Sequence, residues 1–166
     1  MEYTETKIAF DRLSTRIADA AKDIDVIVSL LDCYHRDPMG NNCPWDTSRA
    51  QALSEGLQQL NSVVVILYVD DVPVGMATCL RSFSTWAAKH ILNIHDFIIR
   101  PEYRGMGLGL YLMEHVFQLA SILGMIRVTL EVRDDNAPAL KLYEKAGLGP
   151  CSSPMSFWTK EITPLG

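Results

Sequence analysis

The sequence predicts an α/β (α+β) protein built on a mixed sheet with helices packed against it. Three observations predict this. Val63-Val64-Val65-Ile66-Leu67-Tyr68-Val69 is a β-branched run of the kind found in strands buried on both faces. A short Asp70-Asp71 turn joins it to a second apolar stretch over residues 72–83, so the two form an antiparallel hairpin. Farther on, a strand, a glycine-rich loop, a long amphipathic helix and another strand follow in that order, which makes a crossover. Hairpins first and a crossover later give a mixed sheet.

The elements follow in order. Residues 13–18 form a first strand, and Asp19 caps the helix after it. In that helix Ile24, Ile27, Val28, Leu31 and Tyr34 make an apolar stripe, with Asp25, Ser29, Asp32 and Arg36 on the opposite face. Residues 37–44 are a loop by their Pro, Gly and Asn content. Ser48 with Gln51 resembles a capping box, and Asp46 or Thr47 are alternative caps. The second helix turns Leu53, Leu57 and Leu60 inward. After the hairpin, residues 86–89 connect to a strand over residues 91–99 that Pro101 stops. A helix past the glycines carries Leu112, Val116, Leu119 and Leu123 on one face, with Gly124 as its C-cap. Residues 127–132 are a strand. Asn136 caps a helix over residues 137–146, whose first turn tolerates Pro138. A last strand covers residues 156–162.

Composition bounds the class. The chain has 166 residues, 48% apolar and 21% charged, which reads as one domain over 1–166 with residues 1–11 as an N-terminal arm. The net charge of −5 and a pI near 5.3 lack the basic excess of a nucleic-acid binder. The run 63–69 is far short of the roughly 20 apolar residues of a membrane span. No secretory signal precedes it, so a cytoplasmic location is expected. Cys33, Cys43, Cys79 and Cys151 form no C-x-x-C pair and fit no zinc spacing, so they read as free thiols and no metal is expected.

Two segments carry chemistry. In Tyr103-Arg104-Gly105-Met106-Gly107-Leu108-Gly109-Leu110 a strand has ended, glycines turn the chain and a helix begins. Helix starts leave N–H groups without partners and carry partial positive charge, and glycines let a ligand approach the backbone. Together they suit a pyrophosphate. The dinucleotide fingerprint fails, because Leu110 stands where its third glycine would be, counting from Gly105. The Walker pattern fails for want of a following Lys-Ser/Thr. R-x-x-G-x-G fits, with Arg104, Gly107 and Gly109; a plain tight turn is the competing reading. The second segment is N-x-x-A-x-x-x-Y-x-x-x-G, with Asn136, Ala139, Tyr143 and Gly147 in register. By itself Asn136 could be only a helix cap and Tyr143 only a core residue.

With both motifs in this order the chain resembles the GNAT superfamily of acetyl-CoA-dependent N-acetyltransferases, best over residues 63–148. Leu148 stands where that family often has Phe. The resemblance implies a mostly antiparallel sheet splayed at the coenzyme site, with helices on both faces. It implies acetyl-CoA as cosubstrate, a homodimer, and a small-molecule amine as acceptor. Backbone groups of Phe97, Ile98 and Ile99 would hold the pantetheine arm. The N–H groups of Gly105, Met106, Gly107, Leu108, Gly109 and Leu110 would hold the pyrophosphate. Arg104 would hold the loop or touch phosphate, Asn136 would touch the coenzyme, and Tyr143 would protonate the leaving thiolate. The alternatives are a protein or peptide N-acetyltransferase and a non-catalytic acetyl-CoA-binding module.

An alkylammonium with a pKa near 10.4 is about one part in 2500 free amine at pH 7, so a base is wanted beside the thioester. His95 and Asp96 are the titratable groups inside that strand. Many relatives carry Glu at the position of His95. Being adjacent, the two point to opposite faces unless a bulge intervenes. Either could be the base, or neither. The resemblance places the loop from Tyr34 to Trp45 and the stretch ending at Trp86 beside the acceptor, so Tyr34, Trp45, Trp86 and Asp96 are candidate acceptor contacts. Ser84-Thr85-Trp86 followed by His95-Asp96-Phe97 is similar to the spermidine/spermine N-acetyltransferase-like branch. A polyamine or an amino-acid-like amine is the expected acceptor.

Overall fold

The computed structural model describes residues 8–153 and 155–162. Five strands form one sheet in chain order: β1 (Leu13–Ile17), β2 (Ser62–Val69), β3 (Val72–Ser84), β4 (Lys89–Ile99) and β5 (Val128–Leu130). The first four are antiparallel neighbours, and β5 joins β4 in parallel. The crossover between β4 and β5 holds α3 (Leu108–Ile122), as a parallel pair requires. The expected mixed, mostly antiparallel sheet is what forms.

Each sheet face carries its own core. On one face Val63, Val65, Leu67, Val74, Ala77, Leu92 and Ile94 pack against Leu112, Met113 and Val116 of α3, with Tyr143 of α4 (Ala137–Lys145) at the edge. On the other, Val64, Ile66, Met76 and Ile98 meet Ile27, Leu30 and Leu31 of α1 (Ile24–His35) and Leu53 and Leu57 of α2 (Ala50–Gln59). The uninterrupted apolar reading of β2 follows, because both of its faces are covered.

Several local expectations are corrected. Asp19 does not cap α1; its carboxylate accepts from the Ala21 and Lys22 amides in the turn before, and α1 begins after Asp23. The Ser48–Gln51 box does not form. Asp46 accepts from the Ser48 amide, and the Gln51 side chain reaches Glu55 instead. Leu60 lies past the end of α2 and is exposed. The strand expected over 127–132 shortens to Val128–Leu130.

The strand expected over residues 156–162 is absent. That segment joins no ladder, and Met155, Phe157, Trp158 and Ile162 are all exposed. An apolar pattern becomes a strand only beside a partner edge, and β5 offers an edge of three residues. No helix among the described residues is long and apolar enough to cross a membrane.

Candidate active site

The site lies where β4 leaves β5. β4 keeps its pairing with β3 as far as Ile99, but its pairing with β5 stops at Ile94. The backbone edge of Phe97, Ile98 and Ile99 therefore faces a gap on the β5 side. Hydrogen-bonding groups on such an edge need a partner, and an extended ligand arm can supply it.

A bulge sits at the start of this gap. Thr78 pairs with Asp96, and the next pair is Cys79 with Ile94, so His95 has no partner on β3. The alternation of faces slips by one residue. Ile94 and Phe97, three apart, both belong to the α3 side of the sheet. This bulge is the exception under which adjacent His95 and Asp96 need not point to opposite faces. His95 is exposed, while Asp96 is half-buried beside Thr78, the one buried polar residue of the described core. Burial holds the Asp96 carboxyl above the usual carboxylate range, opposed by His95, the Thr78 hydroxyl and His35. The Cys79 thiol is fully buried and pushed up to about 12 by burial and then by the Asp96 charge. A thiol held protonated at neutral pH is a poor nucleophile.

The Tyr143 ring packs edge-on to Phe97, with centroids 6.2 Å apart and an interplanar angle of 84°. Burial and then the nearby Tyr34 phenol raise the Tyr143 pKa, so its hydroxyl keeps its proton. Asn136 is the N-cap of α4, its Oδ1 accepting from the Ala139 amide at 3.3 Å. The capping reading is thus realised, and the Asn136 amide nitrogen has no partner among the described residues.

The glycine loop divides its labour. Gly105 and Gly107 have φ of 77° and 83°, and a side chain at either would meet only open space. Gly107 is the N-cap of α3 and supplies no side-chain cap, so the first N–H groups of the helix point into the open. Gly109 serves packing: a Cβ there would come within 2.9 Å of Leu142 Cδ2 on α4. Arg104 donates from Nε to the Ile99 carbonyl at 3.0 Å and from Nη1 to Asp37 Oδ2 at 2.7 Å. Of its two expected roles, this geometry displays the loop-holding one.

The acceptor candidates separate. Tyr34 lies in the last turn of α1, 38% exposed, close enough to perturb Tyr143. Trp45 packs into the α1–α2 core, its amide donating to Asp32 Oδ1. Trp86 is 96% exposed at the tip of the β3–β4 hairpin. Roughly 23 Å of strand separates Lys89 from Asp96, so Trp86 is not brought to the site. Sequence reasoning missed His35, whose Nδ1 is buried without a partner among the described residues, and Thr78, which is read only through register. His35 directly follows Tyr34, which was the available signal.

A splayed sheet, an open glycine loop before a helix, and a tyrosine at the split define an acyl-coenzyme-binding fold. Residues 25–148 match the acetyltransferase (GNAT) family, and the chain belongs to it. The thialysine N-epsilon-acetyltransferase of Caenorhabditis elegans is 34% identical over 79 residues, 48% of this chain and 49% of that protein. The streptothricin acetyltransferase of Streptomyces lavendulae is 37% identical over 70 residues, 42% of this chain and 36% of that protein. The matched segments span about half or less of these relatives' lengths. An aminoglycoside acetyltransferase from an uncultured soil metagenomic sample superposes with a TM-score of 0.79 at 17% identity, over 92% of this chain and 99% of that one. That likeness is one of fold.

Proposed function

We propose that this chain transfers the acetyl group of acetyl-CoA to a primary amine of a small molecule, by direct attack within a ternary complex. The observation that carries the reading is Tyr143 set against Phe97 where β4 parts from β5. Acetyl-CoA supplies the thioester. The open edge of Phe97 to Ile99 takes the pantetheine amides, and the N–H groups from Gly105 to Leu110 take the pyrophosphate. Asn136 uses its free amide nitrogen toward the same arm.

Asp96 is the base in this reading. Burial has raised its proton affinity toward that of the amine it serves, whereas His95 faces water. Recovering a free amine from an alkylammonium takes roughly 4 to 5 kcal/mol at pH 7, and a partly desolvated carboxylate offsets part of it. Tyr143, protonated at neutral pH, gives its proton to the leaving thiolate. The inert Cys79 supports direct attack over a cysteine-bound acetyl.

For the acceptor we infer an amino-acid-like amine rather than a polyamine. A polyamine wants a chain of unpaired carboxylates. Here Asp32 is paired with Arg36, Asp37 with Arg104, and Asp135 with Arg133. Glu131 accepts from the Asn93 side-chain amide, and Asp96 has two histidines near it. The thialysine enzyme fits an acceptor of this kind. The test is thiol release from acetyl-CoA with thialysine, lysine, spermidine, an aminoglycoside and short peptides. Turnover with thialysine or lysine is expected. Spermidine as the best acceptor overturns the acceptor class, and silence across the panel overturns the activity.

A further inference from the structure

The glycine loop and segment 37–45, which the family resemblance sets beside the acceptor, are tied together by one ion pair among the described residues. Segment 37–45 is folded firmly onto the end of α1. Asn41 and Cys43 donate their amides to the His35 carbonyl at 3.2 and 3.1 Å, Gly40 donates to the Asp37 carbonyl at 2.9 Å, and Trp45 donates to Asp32 at 2.9 Å. From this loop the Asp37 carboxylate takes the Met39 amide at 2.8 Å and Arg104 Nη1 at 2.7 Å. Among the described residues this is the one side-chain hydrogen bond between segment 37–45 and the glycine loop. The Asp37 side chain is 14% exposed and that of Arg104 is 47% exposed.

A second arginine shows what a purely structural tie looks like. Arg100 spends all three nitrogens on protein: Nε on the Pro73 carbonyl, Nη1 on Cys33 Sγ and Nη2 on Ser29 Oγ. Arg104 spends only Nε and Nη1, and its Nη2 has no partner among the described residues. Arg104 also directly precedes Gly105, so an anion resting on the loop N–H groups comes within reach of that guanidinium. A planar fork held at two donors presents the remaining one in a fixed direction.

We propose that Asp37 is a positioning residue, which holds Arg104 for the coenzyme's anion and thereby transmits coenzyme binding to the loop beside the acceptor. This rests on the coenzyme reading of the glycine loop. An anion taken by Nη2 fixes the last free donor of the guanidinium plane, which leaves the Nη1 bond to Asp37 a single direction, so segment 37–45 stiffens when the coenzyme binds. By linkage, whatever the coenzyme does for that loop, the loop does for coenzyme affinity.

Amide hydrogen exchange of the full chain with and without CoA tests this. CoA is expected to slow exchange in peptides covering 105–112 and also in 37–45. In Asp37→Asn the slowing persists in 105–112 but disappears from 37–45, and CoA affinity falls about 5-fold. Arg104→Gln, the second variant, likewise loses the effect in 37–45. Unchanged or faster exchange of 37–45 in the wild type, with 105–112 slowed, overturns the coupling and leaves the coenzyme reading standing. Retention of the effect in Asp37→Asn overturns the role of Asp37. No slowing in 105–112 overturns the coenzyme reading, and the proposal with it.

Discussion

Asp96 lies opposite Thr78 in the β3–β4 ladder, yet the next pair along is Ile94 with Cys79. His95 is the residue left over. This one-residue slip brings a carboxylate under the partial cover of the α1 side just before the edge of β4 opens. A half-buried carboxylate with no arginine or lysine partner among the described residues is an energetic liability, and its placement at the split is the reason to assign it chemistry.

Asp96→Asn separates function from stability. The folded carboxyl titrates above its unfolded value because burial disfavours the charge. The folded state therefore holds the proton longer than the unfolded state. Stability falls as pH rises from the ordinary Asp range near 3.9 through the raised folded value. Removing the charge removes that fall. Asp96→Asn is expected to be at least as stable as wild type at pH 7, with a flatter stability curve above pH 4, while kcat/KM drops by about 100-fold or more. Denaturant melts across pH and steady-state rates check both. A variant that loses stability at pH 7 contradicts the desolvated carboxylate.

His95→Ala discriminates the two candidate bases. His95 is exposed and unpaired in the ladder, so its loss disturbs little packing. The acidic limb of the pH–rate profile is expected to survive in His95→Ala and to vanish in Asp96→Asn. The reverse outcome makes the imidazole the base.

Tyr143→Phe keeps the edge-on contact with Phe97 and removes the hydroxyl. Melting temperature and CoA affinity are expected to hold, while kcat falls about 100-fold or more as proton donation to the thiolate is lost. Equal rates in the two proteins take Tyr143 out of the mechanism.

Local signals explain what could be read without coordinates. The Val63–Val69 run, the Leu112/Val116 stripe and the glycines of 105–109 each report on a few neighbouring residues, and each sits where expected. The bulge at His95 is a mismatch between two strands, visible in neither alone. Asp37 and Arg104 are 67 residues apart, and neither carries a mark of the other. Residues 156–162 have apolar content without a strand edge to join, which is why pattern alone misplaced them.

Two glycines at the opposite ends of α3 separate strain from ligand contact. Gly107 at the start and Gly124 just past the end have φ of 83° and 68°, and neither has an atom within 4 Å of where a Cβ would stand. Alanine at either therefore meets the same obstacle, a left-handed backbone disfavoured by about 1 to 2 kcal/mol, with no steric clash added. Both variants are expected to lose comparable stability in denaturant melts. They differ in what lies in front of them. Gly107 heads the uncapped N-terminus assigned to the pyrophosphate, so a methyl group there occupies the approach of the ligand and pulls the N–H groups off line. Gly124 takes its amide hydrogen bond to the Ser121 carbonyl, at the far end of the helix. CoA titration should show a loss of about tenfold or more in Gly107→Ala and little change in Gly124→Ala. Equal CoA affinity in the two variants, at equal stability, means the loop glycines serve the turn alone and the anion site lies elsewhere.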